Sequence, residues 1–233
     1  DSPVNLIDNV LLGGGVTASN HNYQGDSIQI GFFDATNTSL GINSGIVMAT
    51  GEVSALDPTF TSAFPFLPNT VTDPDLLNVA NSVPPLLPSP HTNSFTVSSI
   101  NDVAILEFDF IPTSDSLSFN YVFGSEEYFA FENSQYNDVF GFFLSGPGIS
   151  GPYSSPSYHP NGSINLAIVP GSNPPLPITI SSVNSVTPIN SQYFVDNQGG
   201  LDTIASADGY TTVLTANAAV QCGETYHIRL AIA

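Results

Sequence analysis

Three stretches of strict two-residue alternation constrain this chain more than any other feature. Ala104, Leu106, Phe108 and Phe110 fall on one side of a run whose other side carries Glu107 and Asp109. Leu117, Phe119, Tyr121 and Phe123 alternate with Ser116, Ser118 and Asn120, and Tyr226, Ile228, Leu230 and Ile232 alternate with Thr225, His227 and Arg229. Side chains change faces at every residue only in an extended strand, so each run predicts a strand with one buried face. The short Pro112 to Asp115 connection predicts that the first two runs pair antiparallel as a hairpin.

Further short apolar runs near 28–33, 46–50, 139–144, 164–169, 176–183 and 211–216 are rich in Val, Ile, Phe or Tyr and bounded by Gly, Pro, Asn or Ser. That is strand punctuation, and about ten such strands fit an antiparallel two-sheet β-sandwich or jelly roll. One short helix is expected, with Asp73 as N-cap, Pro74 at the first helical position and Asp75 complementing the dipole before Leu76, Leu77 and Ala80. It lies in a stretch rich in Pro, Ser and Thr, 56–90, which reads as a surface insertion in a single domain spanning 1–233. The strands before it are too few to bury a core alone. No repeat of about 20 to 50 residues is visible, which disfavours solenoids and propellers.

Charge limits the partners. There are 20 acidic residues against one arginine or lysine, Arg229, for a formal net charge of −19. Phosphate contacts need Lys or Arg, so nucleic acid and anionic membrane surfaces are poor partners and no nucleic acid is expected, while cations and cationic polymers are good ones. Cys222 is the only cysteine, so no internal disulfide can form, and with no basic neighbour in sequence it reads as a buried small residue. No apolar run reaches about 18 residues, and the N-terminus lacks a basic region followed by an apolar stretch. Neither a membrane span nor a signal peptide is expected, and Asp1 reads as a processed terminus.

The densest polar constellation is Ser125-Glu126-Glu127-Tyr128, followed by Asn137-Asp138. Adjacent carboxylates repel unless they are solvated, protonated or bridged by a cation, and an oxygen-rich set suits Ca2+. Glu126, Glu127, Asn137 and Asp138 are therefore the candidate metal ligands; the alternative is that the two glutamates face water or cap backbone amides. Tyr128, Phe129, Phe131 and Tyr136 are candidates for an aromatic platform that would bind a glycan beside such a site, or for core residues. A hydrolase using Glu126 or Glu127 is a third reading. It needs two acids of separated pKa across a cleft, and no catalytic residue is assigned: there is no G-x-S-x-G elbow, and His21, His91, His159 and His227 are scattered. His227, on a polar strand face, reads as exposed or hydrogen-bonded. Asn37 and Asn161 head glycosylation tripeptides.

Several blocks together resemble the bacterial choice-of-anchor L domain family of secreted and cell-surface proteins. They are Gly41 to Val47 with Thr50-Gly51, Asp102 to Pro112, Phe119 to Tyr128, Tyr136 to Pro147, Asn165 to Pro170 and Cys222 to Ala233. The resemblance implies an extracellular module with no assigned catalytic activity, partnered by other surface components, by copies of itself or by glycans. In the family pattern a further strand follows an Asp-rich turn after the last strand, whereas this chain stops at Ala233. A truncated chain or a strand supplied by a neighbouring copy is therefore expected, and the second would build a filament.

Overall fold

The computed structural model describes residues 2–12, 16–57, 70–198, 204 and 206–233. Among them the strands are β1 (Thr17–Gln24), β2 (Ile30–Asp34), β3 (Ser44–Met48), β4 (Ala104–Ile111), β5 (Ser116–Tyr121), β6 (Gly124–Ser125), β7 (Phe140–Ser145), β8 (Ile164–Asn165), β9 (Phe194–Asp196), β10 (Gly209–Thr211), β11 (Leu214–Ala219) and β12 (Tyr226–Ile232). The α-helices are α1 (Pro3–Leu6) and α2 (Pro74–Ser82). Every pairing is antiparallel. The fold is all-β, as the alternation requires.

One layer is a five-stranded sheet in the order β1-β4-β12-β7-β8. The facing layer is a broken ribbon. β5 pairs with β11, β6 pairs with β10, and between the two ladders the Thr211 N–H donates to the Phe123 carbonyl at 2.8 Å. β9 extends this ribbon on β10, and β2 with β3 forms a separate pair. Leu106, Phe108, Phe110, Ile228, Leu230 and Leu144 from the first layer share one core with Leu117, Tyr121, Leu214 and Ala216 from the second. Tyr121 meets Phe140 and Phe142 across the layers, with ring centroids 5.2 and 5.1 Å apart. Burying these rings between layers is the main apolar contribution to stability, at about 1.5–3 kcal/mol for each large side chain.

The five-stranded sheet is buried on its second face too. Ile105, Val139, Phe143 and Ala231 pack there against Leu76, Val79 and Ala80 of α2. The helix begins as its sequence dictates: the Asp73 carboxylate accepts from the Asp75 and Leu76 amides at 2.8 and 3.2 Å, and Pro74 occupies the first turn. Residues 74–82 therefore cover the sheet with a buried apolar face, while 58–69 of the expected insertion lie outside the described residues.

Five expectations need correction. β4 and β5 do not form a hairpin: β4 pairs with β1 and β12, and β5 pairs with β11. The 112–115 connection is an arch between layers, because Leu106 and Phe108 must face Leu117 and Tyr121 across the core, and alternation is identical in either arrangement. β12 is buried on both faces, since α2 and a loop cover the side that carries His227 and Ala231. Residues 176–183 make turns and isolated bridges in place of a strand, and only Ile164–Asn165 of the expected 164–169 strand is paired as one. β1 has the polar sequence TASNHNYQ and gave no apolar signal. Cys222 is exposed, in the turn between β11 and β12, where its N–H donates to Asp115 Oδ1 at 3.2 Å.

Candidate functional site

The acidic loop gathers most of its expected residues. Ser125, at the end of β6, donates its hydroxyl to Asp138 Oδ2 at 2.5 Å and accepts the Glu127 amide at 2.9 Å. Burial pushes the Asp138 carboxyl up to about 7, against the Ser125 hydrogen bond and with Glu127 and Glu126 adding repulsion. Glu126 is raised by burial and by Asp208, and Glu127 by burial and by Glu126. Two polar atoms, Glu127 Oε2 and the Tyr128 hydroxyl, are buried without a hydrogen-bond partner. The loop is thus a crowd of carboxylates with no base beside them.

Asn137 does not join that crowd. Its Oδ1 accepts the Ser181 amide at 3.3 Å and its Nδ2 donates to the Ala80 carbonyl at 3.5 Å, which ties the loop to α2. Among the described residues no group of three or more His, Cys, Asp or Glu side chains is placed to hold a metal ion. Of the aromatic candidates, Tyr128 is fully buried and Phe129 packs on Phe194, 5.7 Å between centroids. Phe131 and Tyr136 remain exposed as an edge-to-face pair at 5.2 Å. Asn37 and Asn161 are both exposed.

A second polar assembly sits on the outer face of the five-stranded sheet. His227 on β12 is held between two β4 carboxylates, with Nδ1 2.8 Å from Asp109 Oδ1 and Nε2 3.4 Å from Glu107 Oε2. Burial would lower the His227 pKa, but these two acids outweigh it and raise it, which favours the protonated ring between them. The hydrogen bond from His227 holds Glu107 below the usual carboxylate range, and Asn22 Nδ2 adds another at 2.7 Å. Burial would raise Asp109, yet bonds from Asn20, His227 and Tyr158 overcome it and hold it low.

Asn20 reaches Asp109 Oδ2 at 2.6 Å because β1 is bulged between Ser19 and Asn22, with Asn20 in the left-handed region at φ 52°. A bulge re-aims side chains, and here it turns Asn20 toward the carboxylate. Two residues along β12, the Arg229 guanidinium bonds Asp73 through Nη1 and Asp75 through Nη2, the latter at 2.5 Å, and lies over the Phe143 ring at 4.3 Å to the centroid. Burial lowers its pKa to about 10, which leaves it charged. Asn20, Glu107, Phe143, Tyr158, His227 and Arg229 line a cleft of about 470 Å3.

The sequence showed each of these residues singly but not their meeting. Positions 20, 107–109, 143 and 227–229 converge through cross-strand register, such as Arg229 opposite Glu107 and Phe143, and His227 opposite Asp109 and Ser145, and Tyr158 joins them from a turn. The one available signal was the charge alternation of β4 matched by that of β12.

A two-layer antiparallel sandwich with a strongly acidic composition, whose one arginine is turned inward, defines the class of protein: an acidic all-β sandwich module. The chain belongs to the choice-of-anchor L domain family, whose model matches residues 1–233. No curated protein and no solved structure matches it. Membership points to a secreted or surface-anchored module, and the family is not an established enzyme family. Among the described residues no helix is long and apolar enough to cross a membrane.

Proposed function

We propose that this chain is a non-catalytic structural or adhesive building block of an extracellular surface, which associates with copies of itself or with neighbouring surface components through bound Ca2+. The supporting observation is the placement of charge. The chain's one Arg or Lys, Arg229, is bonded to Asp73 and Asp75, so its exterior offers no lysine or arginine to a partner. Two such surfaces repel unless cations lie between them. Although Glu126, Glu127 and Asp138 do not surround a preformed ion site, they are the carboxylates that an ion shared with a partner surface would relieve. β12 is paired on both sides, so a strand added to the five-stranded sheet by a neighbour joins at β1 or β8.

The test is sedimentation velocity and thermal melting of the purified chain, with calcium and with chelator. Association that appears with calcium, together with a higher melting temperature, supports the proposal, since ligand at about 100 times its Kd adds about 2.7 kcal/mol. A monomer with the same melt in both conditions rejects it. A glycan-binding reading is favoured by one observation, the exposed Phe131–Tyr136 pair beside the acidic loop; loss of glycan-array signal in Tyr136→Ala is its expected mark.

A further inference from the structure

We propose that the cleft around Tyr158 binds a neutral, hydroxyl-rich ring, namely a sugar residue of a surface glycan. This deepens the adhesive reading by naming a ligand class and rests on it, at a place away from the acidic loop.

Size comes first. The cleft of about 470 Å3 lies within the range of about 300–1,000 Å3 that small-molecule sites occupy. On the other side of Tyr158 a smaller hollow of about 210 Å3 follows, walled by Gly146, Pro147, His159 and Pro160. Tyr158 lines both and is 55% exposed. Its hydroxyl donates to Asp109, 2.8 Å from Oδ1 and 3.1 Å from Oδ2, so one end of the ring is anchored while much of the ring stays open. An aromatic ring fixed at its polar end is suited to stack on the C–H face of a pyranose.

The walls supply the rest of a sugar's needs. Asn20, Ser155 and Glu107 carry amide, hydroxyl and carboxylate groups that donate to or accept from ring hydroxyls. Two buried atoms beside the cleft and the hollow lack a partner, Ser145 Oγ and His159 Nε2. Ser145 projects from β7 on the same face as Phe143, opposite His227, and so lies at the floor. His159 is lowered by burial, against Asp109, so its ring is neutral and can share a hydrogen bond with a hydroxyl. A buried polar atom left without a partner is costly, and a ligand hydroxyl removes that cost.

Charge selects among ligands. Around this cleft the acids Glu107, Asp109, Asp73 and Asp75 are met by His227 and Arg229. Two cations against four acids leave the cleft negative, which repels an anionic guest. Each acid is already engaged by a donor and is not free to pair with a cationic one, so a neutral guest is favoured.

Saturation-transfer NMR on the full chain tests this with methyl α-mannoside, methyl α-glucoside, methyl β-galactoside, N-acetylglucosamine and cellobiose. Glucuronate and glucosamine serve as charged controls. The expected result is transfer to at least one neutral sugar above both controls, weakened about tenfold or more in Tyr158→Ala and unchanged in Tyr136→Ala. Ser145→Ala removes the hydroxyl without adding bulk to this buried position, and is expected to weaken the same sugar. Binding by no neutral sugar overturns the proposal, as does preference for a charged control. Loss in Tyr136→Ala with retention in both Tyr158→Ala and Ser145→Ala also overturns it and moves the glycan to the acidic loop. The calcium experiment is independent, so failure of this site and failure of the structural or adhesive reading are told apart.

Discussion

Two groups of acids in this molecule live by opposite rules. On the outer sheet face, Glu107 and Asp109 are held below the usual carboxylate range because His227, Asn20, Asn22 and Tyr158 donate to them, while Arg229 holds Asp73 and Asp75. In the acidic loop, Glu126, Glu127 and Asp138 are all raised, because burial and mutual repulsion act with no base to oppose them. The difference teaches where the chain has placed its scarce positive charge. It is used to fasten α2 to the sheet and to hold the acids around the cleft, and the loop's acids have no lysine or arginine beside them.

Removing the fastening is expected to have the largest effect. Arg229→Met leaves Asp73 and Asp75 without their countercharge, and losing one partner of a buried pair costs about 3–5 kcal/mol. Denaturant unfolding should show that loss. A variant as stable as the parent would mean that the pair contributes nothing to holding α2.

The loop should respond in the opposite sense. With the folded Asp138 pKa near 7 and the unfolded value near 3.8, the folded state binds the extra proton, so this contribution is full below about 4 and is lost as pH rises to about 7. The slope is on the order of 1 kcal/mol per pH unit. Asp138→Asn keeps a carbonyl for Ser125 and cannot ionise, so its stability is expected to exceed the parent's at pH 8 and to match it at pH 4. Parallel profiles would remove the distinction between the two regions.

His227→Gln is the smaller change, expected to cost about 1–3 kcal/mol near pH 6 through its lost hydrogen bonds to the two carboxylates. The raised His227 contributes stability that is complete below about 6.5 and fades as pH climbs through its folded value, whereas lowered Glu107 and Asp109 contribute above about 4 and fade on acidification. The parent should therefore be most stable in mildly acidic solution. The variant's unfolding free energy should be flatter between about pH 6 and 8.

Reading faces from alternation succeeded where one side of a strand is greasy: Leu106, Phe108 and Phe110, Leu117 and Tyr121, and Ile228 and Leu230 all point into the core. The helix start at Asp73-Pro74-Asp75 was equally legible, because capping is a local contest for four free amides. Pairing was not. β4 and β5 alternate as a hairpin would, and only the need to close two layers assigns them to different sheets. β1 carries no apolar pattern, since it is held at the sheet edge by β4, and the partners of its Asn20 and Asn22 are the β4 acids. Of the site residues, Ser125, Glu126, Glu127 and Asp138 could be grouped from sequence; Asn137, though adjacent, turned inward to Ser181 and Ala80.

What the sequence by itself determined is what acts over a few residues: strands from two-residue alternation, a capped helix, and an exterior with almost no positive charge. The tertiary structure alone decided which strands pair, which acids meet Arg229 and His227, and that a cleft opens beside Tyr158. Those outcomes depend on contacts between residues as far apart as Asp73 and Arg229, and Asn20 and Asp109. Their free energy arises only when whole layers close on a shared core, so no local pattern encodes it.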